Sequence, residues 1–434
     1  MNRNSPKVLV PHLLKVELPD RTGPPPPSGG RRLLQGAPCG GPSPTSGARP
    51  AGRRRPARIL AAVQQERVPD LVEIPPLPVG LDTPALVVFI DRVATNIERL
   101  QRTLDLRGVR LRPHAKTHKS VRIARLQLEA GAAGLTTGTL GEAEVFALAG
   151  IRDLFIAYPV WAEGPKASRL RSLHDAADLR VGVDSVAGAE RLAAAVAGAR
   201  RPLRILVELD SGGHRTGVAT PDGAVQVAII ARRLGLDVEG VFTHGGHSYR
   251  PGAAATAALD EASTLDAGAR ALEAAGFEVR TISAGSTPTR ELAAHARVNE
   301  IRAGTYVLGD RQQLALRAIE PEGIAAVVVA TVVSVAPDRF VVDAGAKALT
   351  KDLPAFVAGY GLLPRWPAAV IERVNDYHGV VSLPGGSDGP ALGDVVAIVP
   401  NHICPVVDLV ASFVAVLPDG RAESWTVDAR GRSG

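Results

Sequence analysis

The chain has 434 residues, 45% apolar and 22% charged, with a net charge of +6. That is enough for two domains of ordinary globular composition. The first 80 residues hold 12 Lys/Arg against 5 Asp/Glu and the rest 38 against 39, so the folded part offers no basic surface for nucleic acid. No run approaches the 18 apolar residues of a membrane span. Two cysteines, Cys39 and Cys404, exclude a disulfide scaffold and fit a reducing cytoplasm.

In chain order, residues 1–77 come first, with GPPPPSGG, GAPCGGPSPTSGARP and AGRRRPAR. Such a composition buries too little apolar surface to offset chain entropy, so a disordered extension is expected. No apolar stretch precedes a small-residue cleavage site, which disfavours a secretory signal. A mis-assigned start or a dispensable tail is the plain reading.

From Leu81 apolar runs alternate with helical patterns. ALVVFI (85–90) precedes a helix with Val93, Ile97, Leu100 and Leu104 on one face. VRL (109–111) precedes a helix at 119–130, and GLTT (134–137) one at 140–149. LFIAY (154–158), LRVGV (179–183), RILVEL (204–209), VEGVFTH (238–244) and VRTISA (279–284) are each followed by another. Eight such units predict a parallel (β/α)₈ barrel over 78–305. Beyond it, AAVVVATVVSVA, RFVVDAG, GDVVAIVP and DLVASFVAVLP predict a mostly β domain over 306–434. The segment IPPLPVGLDTP is expected to lie against that second domain.

The unusual residues gather at one end of the expected strands. Lys116 follows the second, Thr137 and Gly138 the third, and Tyr158 ends the fourth. Residues 210–215 follow the sixth, His244 and His247 the seventh, and Gly285, Ser286 and Thr287 the eighth. Barrel active sites are built at these carboxyl ends. AGST (284–287) makes a phosphate cradle of small residues and hydroxyls, backed by the positive end of an expected following helix. A lysine and a phosphate cradle on one face point to pyridoxal phosphate, with Lys116 as its covalent anchor. In RPHAKTHKS, strand alternation puts Arg112, His114 and Lys116 on one face and leaves Lys119 in the next helix as a solvated charge. His114 and His118 stay open between orienting the cofactor and being satisfied polar groups.

The stretches LDTPALVV, RPHAKTHKS, TLGEAEVFALAG, LFIAYP, ELDSGGHRTGV, THGGHSY, AGSTPT, VDAGAKAL, YHGVV and PNHICPVVDL resemble, in order, the D-threonine aldolase / D-serine dehydratase family. These are fold-type III pyridoxal-phosphate enzymes with an alanine racemase-like barrel. The resemblance spans about residues 78–430 and implies Lys116, the lysine of PHxK, as anchor. It implies that Arg215 holds the cofactor's phenolic oxygen, that Arg302 faces its ring nitrogen and that Tyr306 binds its phosphate. Tyr158 is included as a cofactor residue.

His402 and Cys404, two apart in NHIC, would point the same way from an extended segment and offer an imidazole–thiolate pair to a metal. In the family, HxC resembles the zinc-dependent dehydratases and HxD the manganese- or magnesium-dependent aldolases. Zn²⁺ is therefore expected, with Mn²⁺ or Mg²⁺ as alternatives, and dehydration of D-serine ahead of retro-aldol cleavage of D-threonine. Asp408 stands where the family pattern has Asn. Lys116 is expected to remove the α-proton, with His244, His247 or His378 as base in an aldolase. The substrate is expected to be a small D-amino acid and the enzyme a homodimer. An amino-acid racemase and a non-catalytic pyridoxal-phosphate carrier are the competing readings; neither gives HxC a task.

Overall fold

The computed structural model describes residues 72–384 and 388–434. The predicted extension lies outside the described residues as far as residue 71.

Eight short parallel strands form the first sheet. With β1 as Ala85–Phe89, they are β2 Arg110–Leu111, β3 Leu135–Thr137, β4 Asp153–Pro159, β5 Asp178–Val183, β6 Arg204–Glu208, β7 Asp237–Phe242, β8 Thr281–Ala284 and β9 Glu300–Ile301. They pair in the order β2-β9-β8-β7-β6-β5-β4-β3. The ring closes through a parallel bridge between His114 and Thr136, with the Thr136 N–H donating to Pro113 O at 2.9 Å. Helices α1 Ile90–Asp105, α2 Val121–Glu129, α3 Leu140–Leu148, α4 Pro165–Ala176, α5 Val186–Ala195, α6 Pro221–Arg233 and α7 Ala254–Ala274 accompany it. The α1 face is as predicted, with Val93, Ile97, Leu100 and Leu104 buried.

Two expectations are corrected. ALVVF is not a barrel strand, and the eighth barrel strand is the two-residue β9. No regular helix follows β8; residues 285–299 run through turns and bends. The AGST loop therefore has no helix dipole behind it.

β1 belongs to the second sheet. It lies between β10, Ala326–Ala336, antiparallel to it, and β15, Ser412–Val416, parallel to it. The sheet is completed by β11 Arg339–Val342, β12 Val370–Val374, β13 Gly379–Ser382, β14 Val395–Ile398 and β16 Ala422–Thr426. Ile74, Leu77 and Leu81, in the segment expected to lie here, pack against Val87, Phe89, Val327 and Val329. Three short helices, α8 Arg311–Ala315, α9 Ala346–Leu349 and α10 Ile403–Leu409, interrupt this half.

The barrel interior is layered. Toward the strand beginnings lies a buried charge network. Arg112 bonds Glu300 at 2.8 Å and Asp153 at 2.7 Å, and Arg180 bonds Glu239 at 2.8 Å and also Asp153. Above it Phe155 and Phe242 meet edge to face, 5.1 Å between centroids. Gly182 makes room for them, since a Cβ there would come within 2.6 Å of the Phe242 ring. Arg302 sits over both rings, 5.8 and 5.2 Å from their centroids. Filled this way, the barrel is a platform with one open end.

Candidate active site

Lys116 occupies a single 3₁₀ turn, Ala115–Thr117, directly after β2. The His114 Nδ1 accepts the Lys116 N–H at 3.4 Å, which leaves the neutral ring's proton on Nε2. Burial, then the charge of Lys116, holds both His114 and His244 well below the usual histidine range, so both stay neutral.

Two cavities meet at this lysine. The inner one is lined by His114, Lys116, Arg215, His244, Gly285, Ser286, Thr287 and Arg302, among others. The outer one is lined by Lys116, Arg250, Gln312, Asp352, Phe356, His402 and Cys404. Lys116, His244, Tyr249 and Thr305 line both and form the junction.

The inner cavity fits pyridoxal phosphate. Arg302 donates to Ser283 Oγ at 2.6 Å and to the Thr243 carbonyl at 2.5 Å, both neutral partners. Arg215 makes no ion pair among the described residues. Two guanidinium charges and an amine thus face a small space without a carboxylate on its lining, which suits an anion. Two glycines keep the walls close. Gly285 has φ +92° and a Cβ on it would meet Ile301 at 3.0 Å; one on Gly304 would meet Thr117 Oγ1 at 2.9 Å. The buried Glu261 carboxylate accepts the N–H groups of Gly245 at 2.9 Å and Gly285 at 3.1 Å, and so ties together the loops after β7 and β8.

His402 and Cys404, the expected metal pair, lie beside Lys116. Thr117, the residue after Lys116, has its Oγ1 3.3 Å from Cys404 Sγ. The pair does not sit on an extended segment, as the sequence spacing predicted. His402 caps α10 with an extended backbone and Cys404 is in its first turn. Asp310 fixes this turn by accepting the Ile403 N–H at 3.1 Å. Asp352 holds His402 Nδ1 at 2.7 Å, which turns Nε2 toward Cys404. Burial opposes the His402 charge, but Cys404, Asp310 and Asp352 lift it to about 9. Burial likewise opposes the thiolate, and His402, Lys116 and Thr117 outweigh it. An imidazole beside a thiolate-prone cysteine is a zinc-type donor set. Among the described residues no third His, Cys, Asp or Glu joins the two in a cluster that could hold a metal.

Several expected residues are elsewhere. Tyr158 is 38% exposed, and its neighbour Ala157 lines the cavity. The Tyr306 hydroxyl accepts from Gln127 at 3.1 Å and does not line either cavity. Tyr249 is the tyrosine at the cradle, and it lines both cavities. His247 pairs with Asp260 at 3.1 Å, outside both cavities. His378 is exposed in the turn between β12 and β13. Lys119 is 6% exposed, bonded to Asp408 at 2.7 Å and near Glu142 at 3.4 Å, so it is a buried structural charge and not a solvated one. Sequence reasoning passed over Tyr249, Glu261, Asp310, Asp352 and Arg250. Only Tyr249 carried a signal, through its place in THGGHSY.

A filled parallel barrel with a lysine at the mouth of an anion-ready cavity, joined to a β-rich half, is the build of a fold-type III pyridoxal-phosphate enzyme. Residues 88–312 match the alanine racemase N-terminal domain and 325–416 the putative serine dehydratase domain. The chain is 37% identical to D-threo-3-hydroxyaspartate dehydratase of Delftia sp. (strain HT23), covering 80% of this chain and 97% of the relative. It is 34% identical to D-threonine aldolase of Arthrobacter sp., covering 81% and 94%. The solved structure of the Delftia enzyme superimposes with a TM-score of 0.73, at 34% identity over 80% of this chain and 97% of that one. A cysteine-to-alanine variant of that enzyme is described in a metal-free form. The chain belongs to the D-threonine aldolase / D-serine dehydratase family of pyridoxal-phosphate lyases.

Proposed function

We propose that the protein is a dehydratase of D-3-hydroxy-α-amino acids, with pyridoxal phosphate anchored on Lys116 and a divalent cation, zinc foremost, on His402 and Cys404. The observation that carries this reading is the contact between Thr117 and Cys404, which sets a thiolate–imidazole pair beside the anchoring lysine at the cavity junction. Bound, the two groups supply an electron sink at Cα and a Lewis acid at the β-hydroxyl.

The chain's own residues do the rest. Arg215, Arg302 and the loop 285–287 would hold the cofactor; Arg302, a fixed cation, would keep its ring nitrogen free of a proton. The Lys116 amine takes the proton from Cα. Neutral His114 and His244 flank it without competing as cations. Loss of the β-hydroxyl as water, then hydrolysis, gives a 2-oxo acid and ammonia. We also propose a cytoplasmic homodimer, which rests on family analogy and on the free thiol of Cys404. No described helix is long and apolar enough to cross a membrane.

The test is to load the protein with pyridoxal phosphate and zinc and supply D-serine, D-threonine and D-threo-3-hydroxyaspartate separately. A 2-oxo acid with ammonia, abolished by a chelator and restored by zinc, is expected from at least one. Glycine with an aldehyde would make it an aldolase instead. Lys116→Ala should lack the visible absorbance of lysine-bound cofactor; a retained band would overturn the anchor.

A further inference from the structure

The loop 285–287 has to meet the most highly charged part of the cofactor with little charge of its own. No regular helix stands behind it, since residues 285–299 run through turns and bends. Its backbone donors are largely spent. Gly285 N–H is on Glu261 at 3.1 Å, Ser286 N–H is on Thr289 Oγ1 at 3.0 Å, and Pro288 has none to give. The cations on the cavity wall are Lys116, Arg215 and Arg302. In the reading above, each is committed to the cofactor's ring or its aldehyde. A phosphate dianion at this loop would find no counter-charge left on the wall.

There is a cation behind the loop. Arg290 follows the turn that Ser286 and Thr289 close, and its guanidinium reaches back to the loop. Its Nη1 donates to the Thr287 carbonyl and to the Ala318 carbonyl, at 2.6 Å each. Thr287 lines the inner cavity and Arg290 does not. A single residue therefore separates this guanidinium from the space that a phosphate would fill.

The charge on Arg290 is incompletely met within the protein. Its side chain is only 14% exposed, and its closest carboxylate, Glu291 at 3.4 Å, is 36% exposed. Burial lowers the affinity of Arg290 for its proton by more than Glu291 restores. A guanidinium stays charged even so, and a buried charge facing neutral carbonyls is costly until an opposite charge arrives.

We propose that Arg290 is a positioning residue for the cofactor's phosphate. It fixes Thr287 by its carbonyl and supplies, through that one residue, the positive potential that a helix N-terminus gives other phosphate cradles. This rests on the reading of the inner cavity as the pyridoxal-phosphate site.

The test uses two aldehydes that differ only in the phosphate, pyridoxal phosphate and pyridoxal. Each is titrated onto the cofactor-free full chain and read by the visible band of the lysine-bound form. Arg290→Gln keeps hydrogen-bond donors and loses the charge; it should weaken pyridoxal phosphate at least about tenfold and pyridoxal less than about twofold. Uptake of pyridoxal also shows that the variant has folded. Arg290→Lys, which keeps the charge, should recover most of the loss. An equal loss on both aldehydes would mean that Arg290 only props the loop, and would overturn the proposal. So would no loss on either, or a Gln variant that binds as tightly as the Lys variant. If wild type forms the band with neither aldehyde, the cofactor reading itself fails. Inorganic phosphate is then the probe, by calorimetry: weaker binding by Arg290→Gln than by wild type upholds the charge role, and no difference between them overturns it.

Discussion

Glu208 ends β6 with 2% of its surface exposed. Burial lifts its carboxyl to about 7, against the pull of the Thr216 hydroxyl, 2.9 Å away, and of Arg215. An unfolded glutamate titrates near about 4.3. The folded state therefore keeps a proton that the unfolded chain releases, and this contribution is complete below about 4.3 and lost as pH rises to about 7. Glu208→Gln keeps the neutral form at all pH. In urea unfolding of the cofactor-free protein, the variant should gain on wild type between pH 5 and pH 8 by about 2–3 kcal/mol. A difference that does not change with pH would mean that Glu208 is ionised throughout. Arg302 shows the complementary case: burial lowers its affinity for a proton, but guanidinium starts so high that it stays charged and is met by the dipoles of Ser283 and Thr243.

Short elements carry the site, and each is held by contacts from far along the chain. Lys119, in a left-handed conformation at φ +48°, joins the barrel to α10 through Asp408, 289 residues away. Its removal strands Asp408 and the buried Glu142. Lys119→Ala should cost about 3–5 kcal/mol, read as a lowered urea midpoint at unchanged slope. Asp408→Asn should cost clearly less, because an amide oxygen still accepts from Lys119 and from the Gly431 N–H. Equal losses would show that the charge and not the hydrogen bonds matters at 408. The same remoteness explains what could be read from sequence. The α1 face was legible because its pattern is local, and the place of Lys116 on the barrel because it follows the apolar run that forms β2. The aspartate at 408 looked like a departure from the family until Lys119 was found beneath it. Lys119 looked solvated because nothing within ten residues announces its partners. Two-residue β9 has too few side chains to show an alternation, and Tyr306 and Tyr249 are told apart only by which way the backbone turns them.

The second sheet is not contiguous in sequence. β1 supplies a central strand, with Val87 opposite Val327 on one side and Val414 on the other. An apolar run of five cannot say which sheet it joins, so the pattern that placed ALVVFI first in the barrel was correct about strand and silent about partner. A fragment of residues 306–434 would leave β10 and β15 with open apolar edges. It should be insoluble alone and become soluble when residues 72–89 are supplied with it, as measured by sedimentation and circular dichroism. Solubility of the bare fragment would show that β1 is dispensable.

That placement has a consequence for how the chain is made. Val87 emerges 240 residues before Val327. At about 5–20 residues per second of synthesis, β1 leaves the ribosome roughly 12–48 s ahead of its first neighbour. The barrel strands can find each other meanwhile, since most of them neighbour in space the strand next in sequence. Val87 and Phe89, wholly enclosed at the end, spend that interval as an unpaired apolar ribbon. The nascent protein is therefore most open to aggregation, and most in need of a chaperone's cover, at β1 and during the middle of translation.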